Sequence, residues 1–145
     1  MNQGKSLWAS GLPRLGDVLA LRADLAEAAK AVYGAWEQGP DGWDDELGEG
    51  GICQDIASAM LERLGENGVE HVLSVHASVG ENHVFLVALL EDGVYSVDIH
   101  PSVYEIGSGY VWKRRPDAEF GPECVDVMRV GDPMDPAEFE ASYSG

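Results

Sequence analysis

The stretch HVFLVALLEDGVYSVDIHP, residues 83 to 101, holds two apolar runs joined by Glu91, Asp92 and Gly93. An Asp-Gly pair between runs rich in β-branched and aromatic residues signals a tight β-hairpin. The first run, His83 to Leu90, is apolar at successive positions, so it reads as a central strand covered on both faces. Outward from the hairpin the apolar period stays near two. HVLSVHAS (71–78) precedes it as a strand, and GYVWKRR (109–115) and CVDVMRV (124–130) follow as two more.

Upstream of Gly68 the period is nearer four. Val18, Leu21, Leu25, Ala28, Val32 and Trp36 define one face of a helix that starts at Asp17, a candidate cap, and ends near Gly39 and Pro40. In GEGGICQDIASAMLERLG (48–65), Cys53, Ile56, Ala57, Met60, Leu61 and Leu64 form a second stripe, with a stop at Gly65 or Gly68. Helices first and an antiparallel sheet second is the pattern of an α+β domain.

The chain has 145 residues, 45 % of them hydrophobic, which suits one domain over residues 1–145. Residues 1–16 read as an irregular N-terminal arm, and 132–145 as a weakly ordered acidic tail, with a short helix there as the alternative that its prolines and end position oppose. The first twenty residues show neither a secretory signal nor a membrane span, so the expected location is cytoplasmic. There the two cysteines, Cys53 and Cys124, stay free; a disulfide between them is the alternative.

A formal charge of −17 argues against nucleic-acid partners, because phosphate binding depends on clustered Lys and Arg. The only basic cluster, Lys113 to Arg115, reads as solubilising. Acid concentrates from Glu37 to Glu49, just before Cys53. That run is either a solvated loop or a lip that favours neutral or basic substrates.

Cys53 stands in the first turn of its helix, where unpaired N–H groups and the helix dipole stabilise negative charge. A thiol nucleophile also needs a base and a group that orients the base. Four histidines are available: His71 and His76 in the first strand, His83 at the head of the second, and His100 at the end of the third. A hairpin brings its two outer ends together, which makes His83 a neighbour of the segment Asp98–His100. If Glu91 to Gly93 form a three-residue turn, Leu90 faces Val94 and His83 faces Pro101, which favours His100 as the nearer partner.

GGICQDIASAMLERLGENGVEHVLSV (50–75) followed by NHVFLVALLEDGVYSVDIHP (82–101) resembles the core of the transglutaminase-like branch of papain-fold cysteine enzymes. There a cysteine shortly after glycine opens a helix, a histidine opens a strand, and an aspartate closes the hairpin partner. The resemblance implies a papain-like core with the nucleophile helix packed on the sheet. It also implies Cys53 as nucleophile, His83 as base and Asp98 as the orienting acid. The activity implied is acyl transfer or hydrolysis at an amide of a neutral or basic peptide or protein: peptidase, deamidase or transglutaminase-like. No cofactor or metal enters that chemistry. The chain departs from the pattern in having Gln54 where tryptophan often follows the cysteine. PSVYEIGSGYVWKRRP (101–116) matches no motif with a chemistry.

Two other readings compete. His83, Asp98, His100 and either His76 or Cys53 hold the atoms of a metal site, but lack the short paired spacings that place two ligands on one element. A papain-like shell without activity, binding a basic protein through its acidic surface, is the non-enzymatic alternative. Cys124, in an alternating strand, reads as structural. For the oxyanion, the Cys53 N–H is one donor, and Trp43 or an amide of the acidic loop is the second.

Overall fold

The computed structural model describes residues 11–38, 43–44, 51–77, 83–108, 111–115 and 117–144. In chain order the elements are α1 (Leu15–Leu19), α2 (Arg22–Gln38), β1 (Trp43–Asp44), α3 (Gly51–Glu66), β2 (Val72–Ala77), β3 (His83–Leu90), β4 (Gly93–Ile99), β5 (Glu105–Ser108), β6 (Val111–Arg114), β7 (Val125–Gly131) and α4 (Pro136–Tyr143). The architecture is α+β. Its centre is a four-stranded, fully antiparallel sheet in the order β2-β3-β4-β7.

The continuous apolar run of β3 has the physical reason read from it: both faces are covered. Leu86, Ala88 and Leu90, with Tyr95, Val97 and Ile99 of β4, pack under α2 and α3. Val87 and Leu89, with Val94, face the other way and meet Phe139 of α4 and Leu12. Removing each of the larger aliphatic side chains among these from water contributes about 1.5–3 kcal/mol. The result is a three-layer stack, with helices on one side and α4 plus the chain near Leu12 on the other.

The predicted stripe of α3 is the buried one, Leu61 alone remaining half-buried. The helix stops where the glycines stop it. Val69 N–H bonds Leu64 C=O at 2.9 Å and Gly68 N–H bonds Gly65 C=O at 3.1 Å, while Gly68 takes φ +88. That is the Schellman arrangement, in which the left-handed position excludes a side chain, and Leu64 and Val69 close it by joining the same core.

Several expectations need correction. The single helix from Asp17 is two helices. Asp17 accepts from the Arg14 N–H at 2.9 Å, so it caps from inside the first turn rather than preceding it. At the break, Leu21 N–H turns to Val18 C=O and Leu25 N–H picks up Leu21 C=O, which restarts the helix with Val18 and Leu25 both in the core.

The arm is also pinned earlier than expected, because Pro13 C=O accepts from the Glu91 N–H at the hairpin turn. Only Glu91 and Asp92 form that turn, since Leu90 pairs with Gly93. Cys124 closes a 3-10 turn, Pro122–Cys124, ahead of β7 instead of lying in a strand.

The segment after Val103 contributes β5, which pairs with β6, and β6 with β1, as a separate three-stranded sheet. Where a weakly ordered tail was expected, Asp135 caps α4 by accepting from the Glu138 N–H at 2.8 Å, and Phe139 anchors it in the core. Most of the acidic run from Glu37 to Glu49 lies outside the described residues, and so does the Trp43 side chain.

Candidate active site

The site lies where the β3–β4 ladder stops. In an antiparallel pair alternate residues turn their N–H and C=O toward one neighbour. Leu89 N–H bonds His71 C=O, so the odd residues of β3 point to β2 and the even ones to β4. Pairing of β3 with β4 runs from Leu90/Gly93 back to Leu86/Val97 and goes no further. Val84 and Ile99 would be the next bonded pair. Instead the Val84 N–H donates to Cys53 Sγ at 3.4 Å, a thiol occupying the place of a strand carbonyl.

Cys53 is the third residue of α3, so its own N–H belongs to the first turn and has no acceptor within the helix. The residue is only 4 % exposed, at the edge of the helix–sheet core.

His83 and Asp98 share the sheet face opposite Leu86 and Val97, because side chains alternate along each strand. Continuing the observed register by count puts His83 across from His100, with Asp98 on the diagonal. Diagonal neighbours about 7–8 Å apart are within reach of long side chains. His83 Nε2 lies 2.9 and 3.0 Å from the two Asp98 carboxylate oxygens. The ring also stacks on Phe85, centroids 6.1 Å apart. With Nε2 committed to the carboxylate, Nδ1 is the nitrogen left for sulfur. It is buried and makes no hydrogen bond of ordinary geometry.

Burial alone lowers the affinity of the His83 ring for a proton and is the largest single influence on it. Hydrogen bonding to Asp98 and Cys53 and the charges on both together outweigh it, and raise the pKa from 6.5 to about 9. The ring is therefore protonated at neutral pH. It can hand a proton to a leaving group on one side while the carboxylate holds its orientation on the other.

His100, the other contender on hairpin counting, is exposed and occupied elsewhere. Its Nδ1 accepts from the Ser102 N–H at 3.1 Å and lies 2.9 Å from Ser102 Oγ, capping the 3-10 turn Pro101–Val103. The structure thus brings Cys53, His83 and Asp98 together and leaves His100 out. Among the described residues no group of three or more His, Cys, Asp or Glu is arranged to hold a metal ion.

Both cysteines are free. Burial pushes the Cys124 thiol above its ordinary pKa; a bond from the Gly121 backbone opposes this and the Glu123 charge adds to it. Of the basic cluster, Arg115 is used structurally, donating to Ser102 C=O at 2.9 Å and to Asp117 at 3.0 Å.

A groove of about 270 Å³ opens beside Val84 and Gln54, the residue after Cys53. Its other polar walls, Ser58, Ser74 and His76, were not singled out together in the sequence. Strand parity was the available signal, since Ser74 and His76 interrupt the apolar face of β2 that otherwise meets α3.

Searches against known protein families, curated proteins and solved structures find no match for this chain. Among the described residues no helix is long and apolar enough to cross a membrane.

Proposed function

We propose that the chain catalyses thiol-dependent acyl transfer or hydrolysis at an amide, in the manner of the transglutaminase-like branch of papain-fold cysteine enzymes, with a papain-like core around the site. The observation that carries this reading is the bonding of His83 to both oxygens of Asp98, next to Val84, whose N–H donates to the Cys53 sulfur.

The Cys53 sulfur attacks the amide carbonyl, a C–S bond forms, and the π pair moves to oxygen. The N–H groups of the first turn of α3, that of Cys53 among them, supply donors for this oxyanion. When the C–N bond breaks, the imidazolium of His83 gives its proton to the leaving amine. Water or an amine then attacks the thioester, His83 takes its proton, and the C–S bond breaks to release the acyl product and the sulfur. Asp98 acts as a positioning residue, holding the ring in the tautomer with Nδ1 toward sulfur. With 26 acidic side chains against 9 basic ones, the preferred substrate is neutral or basic near the scissile group.

Brief iodoacetamide treatment followed by peptide mapping tests the reading. Labelling at Cys53 that outpaces Cys124 and depends on His83 is expected; preferential labelling of Cys124 overturns it.

A further inference from the structure

Cys53 is 4 % exposed, so a substrate must reach it along a channel at the surface. The groove beside it is walled by Gln54 and Ser58 of α3, Ser74, Val75 and His76 of β2, and Val84 of β3. Val84 is the residue whose N–H meets Sγ, so one wall of the groove adjoins the thiol. On a chain with 26 Asp and Glu, the described residues of this lining include no Asp, Glu, Lys or Arg. Its polar groups are one carboxamide, two hydroxyls and an imidazole.

One wall is a free sheet edge. Among the described residues β2 pairs only with β3. The parity set by Leu89 N–H to His71 C=O turns the backbone groups of Val72, Ser74 and His76 outward. Ser74 and His76 are also exposed through their side chains, on the α3 side.

The sequence of β2, VLSVHA, contains no charge or proline. Such devices normally blunt an edge against pairing with another chain. The opposite edge, β7, has them: exposed Asp126 and Arg129, and a shift in register where Val94 gives way to Tyr95.

We propose that β2 is a docking edge for an extended polypeptide substrate. The substrate backbone pairs with the outward groups of Ser74 and His76, and one hydroxyl- or carboxamide-bearing side chain enters the groove against Gln54 and Ser58. Main-chain pairing supplies affinity and the groove supplies selectivity. A charged side chain entering it would lose water and find no counter-ion among the described lining residues. At about 270 Å³ the groove is below the roughly 300–1,000 Å³ of ordinary small-molecule sites and suits a single side chain. The proposal rests on Cys53 being the nucleophile, and the test separates the two ideas.

A six-residue peptide with threonine and asparagine at alternate positions and a terminal chloroacetyl group is compared with the same peptide N-methylated at alternate amides, and with versions carrying glutamate or lysine in place of asparagine. The parent peptide is expected to label Cys53 about tenfold faster than each of the others. Ser74→Pro removes an outward donor and, by parity, no ladder bond; Ser58→Leu fills the groove. Each should lower the ratio of peptide to iodoacetamide labelling by about tenfold. If Ser74→Pro does not fold, Ser58→Leu and the N-methylated peptide carry the test.

Equal labelling by parent and N-methylated peptides, or an unchanged ratio in the folded variants, overturns the docking edge while iodoacetamide labelling of Cys53 leaves the nucleophile in place. Equal labelling by the charged peptides overturns the uncharged groove. If iodoacetamide does not label Cys53, the nucleophile fails, and anisotropy of a fluorescein-tagged peptide without the chloroacetyl group decides the edge: binding lost in the variants sustains it, and no binding overturns it. A stable dimer in sedimentation that Ser74→Pro dissociates assigns the edge to a second copy and overturns the proposal.

Discussion

The two ends of the β3–β4 hairpin are made from the same strands and behave differently. At the turn end, Leu86 to Leu90 pair residue for residue with Gly93 to Val97, and every side chain of that run in β3 is buried. At the open end the pairing ceases, His83 and Asp98 are half-buried, and the N–H of Val84 goes to a sulfur on a helix. The closed end is held by apolar burial that any similar residues could supply. The open end is held by a few polar contacts that depend on the atoms themselves. Function therefore has room only at the end where the ladder gives up its regularity, because there a donor, a ring and a carboxylate are released from pairing with one another's backbones.

The sharpest way to break this contrast is at the ring. His83→Ala is expected to slow alkylation of Cys53 at pH 7 by roughly 10²-fold or more, the scale of a lost acid–base partner. Cys124, whose burial already disfavours its thiolate, should change little. Site-resolved iodoacetamide kinetics by mass spectrometry measure both. A fall of less than about threefold at Cys53 would mean that the open end confers no special reactivity.

The closed end should respond in stability instead. Leu86 and Leu89 lie on opposite faces of β3 and are both fully buried. Leu86→Ala and Leu89→Ala should each cost about 2–5 kcal/mol in urea unfolding, since a cavity is left in a packed layer. In whatever fraction remains folded, the rate at Cys53 relative to Cys124 should persist. Loss of that preference with Leu89→Ala, on the face away from α3, would show that the two ends are not independent.

Much of this arrangement was legible before the fold was known, and for identifiable reasons. A continuous apolar run of eight residues beside a turn signal reads as a strand covered twice, and Gly65 or Gly68 could be read as the helix stop because a residue free of Cβ strain ends a helix that way. With Asp98 named only through the family resemblance, the nearness of His83 to the segment Asp98–His100 was visible because hairpin ends converge. The exact partner was not. Counting Gly93 into the turn shifted the register by one residue, and no feature of the sequence showed that Gly93 would instead pair with Leu90.

The helix break before Arg22 was hidden because both halves keep one apolar stripe. β5 was hidden because four residues containing a glycine show no alternation. In α4 a short helix was one reading of the tail, and the proline was counted against it. Pro136 after Asp135 looks like a breaker, yet proline in the first helical position behind a capping aspartate begins a helix.

The coupling between carboxylate and ring can be tested through pH. The folded state raises the His83 pKa from 6.5 to about 9, so it binds a proton more tightly than the unfolded chain. The stability this gives is fully present below pH 6.5 and is lost as pH rises through about 9. In Asp98→Asn the carboxylate that raised the pKa is gone while burial, which lowers it, remains. The transition should then move down by about a pH unit or more, and the difference in unfolding free energy between pH 6 and pH 9.5 should shrink. Alkylation of Cys53 followed across the same range should show the same downward move. A pH dependence of stability identical in Asp98→Asn and the parent protein would mean that Asp98 does not govern the ring, whatever its distance.

The smallest expected effect is at His100, and it is the one that separates two histidines at the same end of the hairpin. Hairpin counting makes His100 the direct neighbour of His83 across the strands, and a second imidazole there could in principle replace Asp98 as the partner. The ring is instead turned outward to accept the Ser102 N–H, so its contribution is that of a cap on the turn that follows β4. Loss of a capping side chain costs about 0.5–2 kcal/mol in a helix, and less is expected for a single exposed 3-10 turn. His100→Ala should therefore lower stability by about 0.5–1 kcal/mol, leave the rate of Cys53 alkylation within about twofold, and leave its pH profile in place. Ser102→Ala, which keeps the Ser102 N–H and removes only the hydroxyl beside His100 Nδ1, should do less still. If His100→Ala abolishes the enhanced reactivity while Asp98→Asn spares it, the acid–base partner sits on His100 and the diagonal pairing of His83 with Asp98 is a structural ion pair alone.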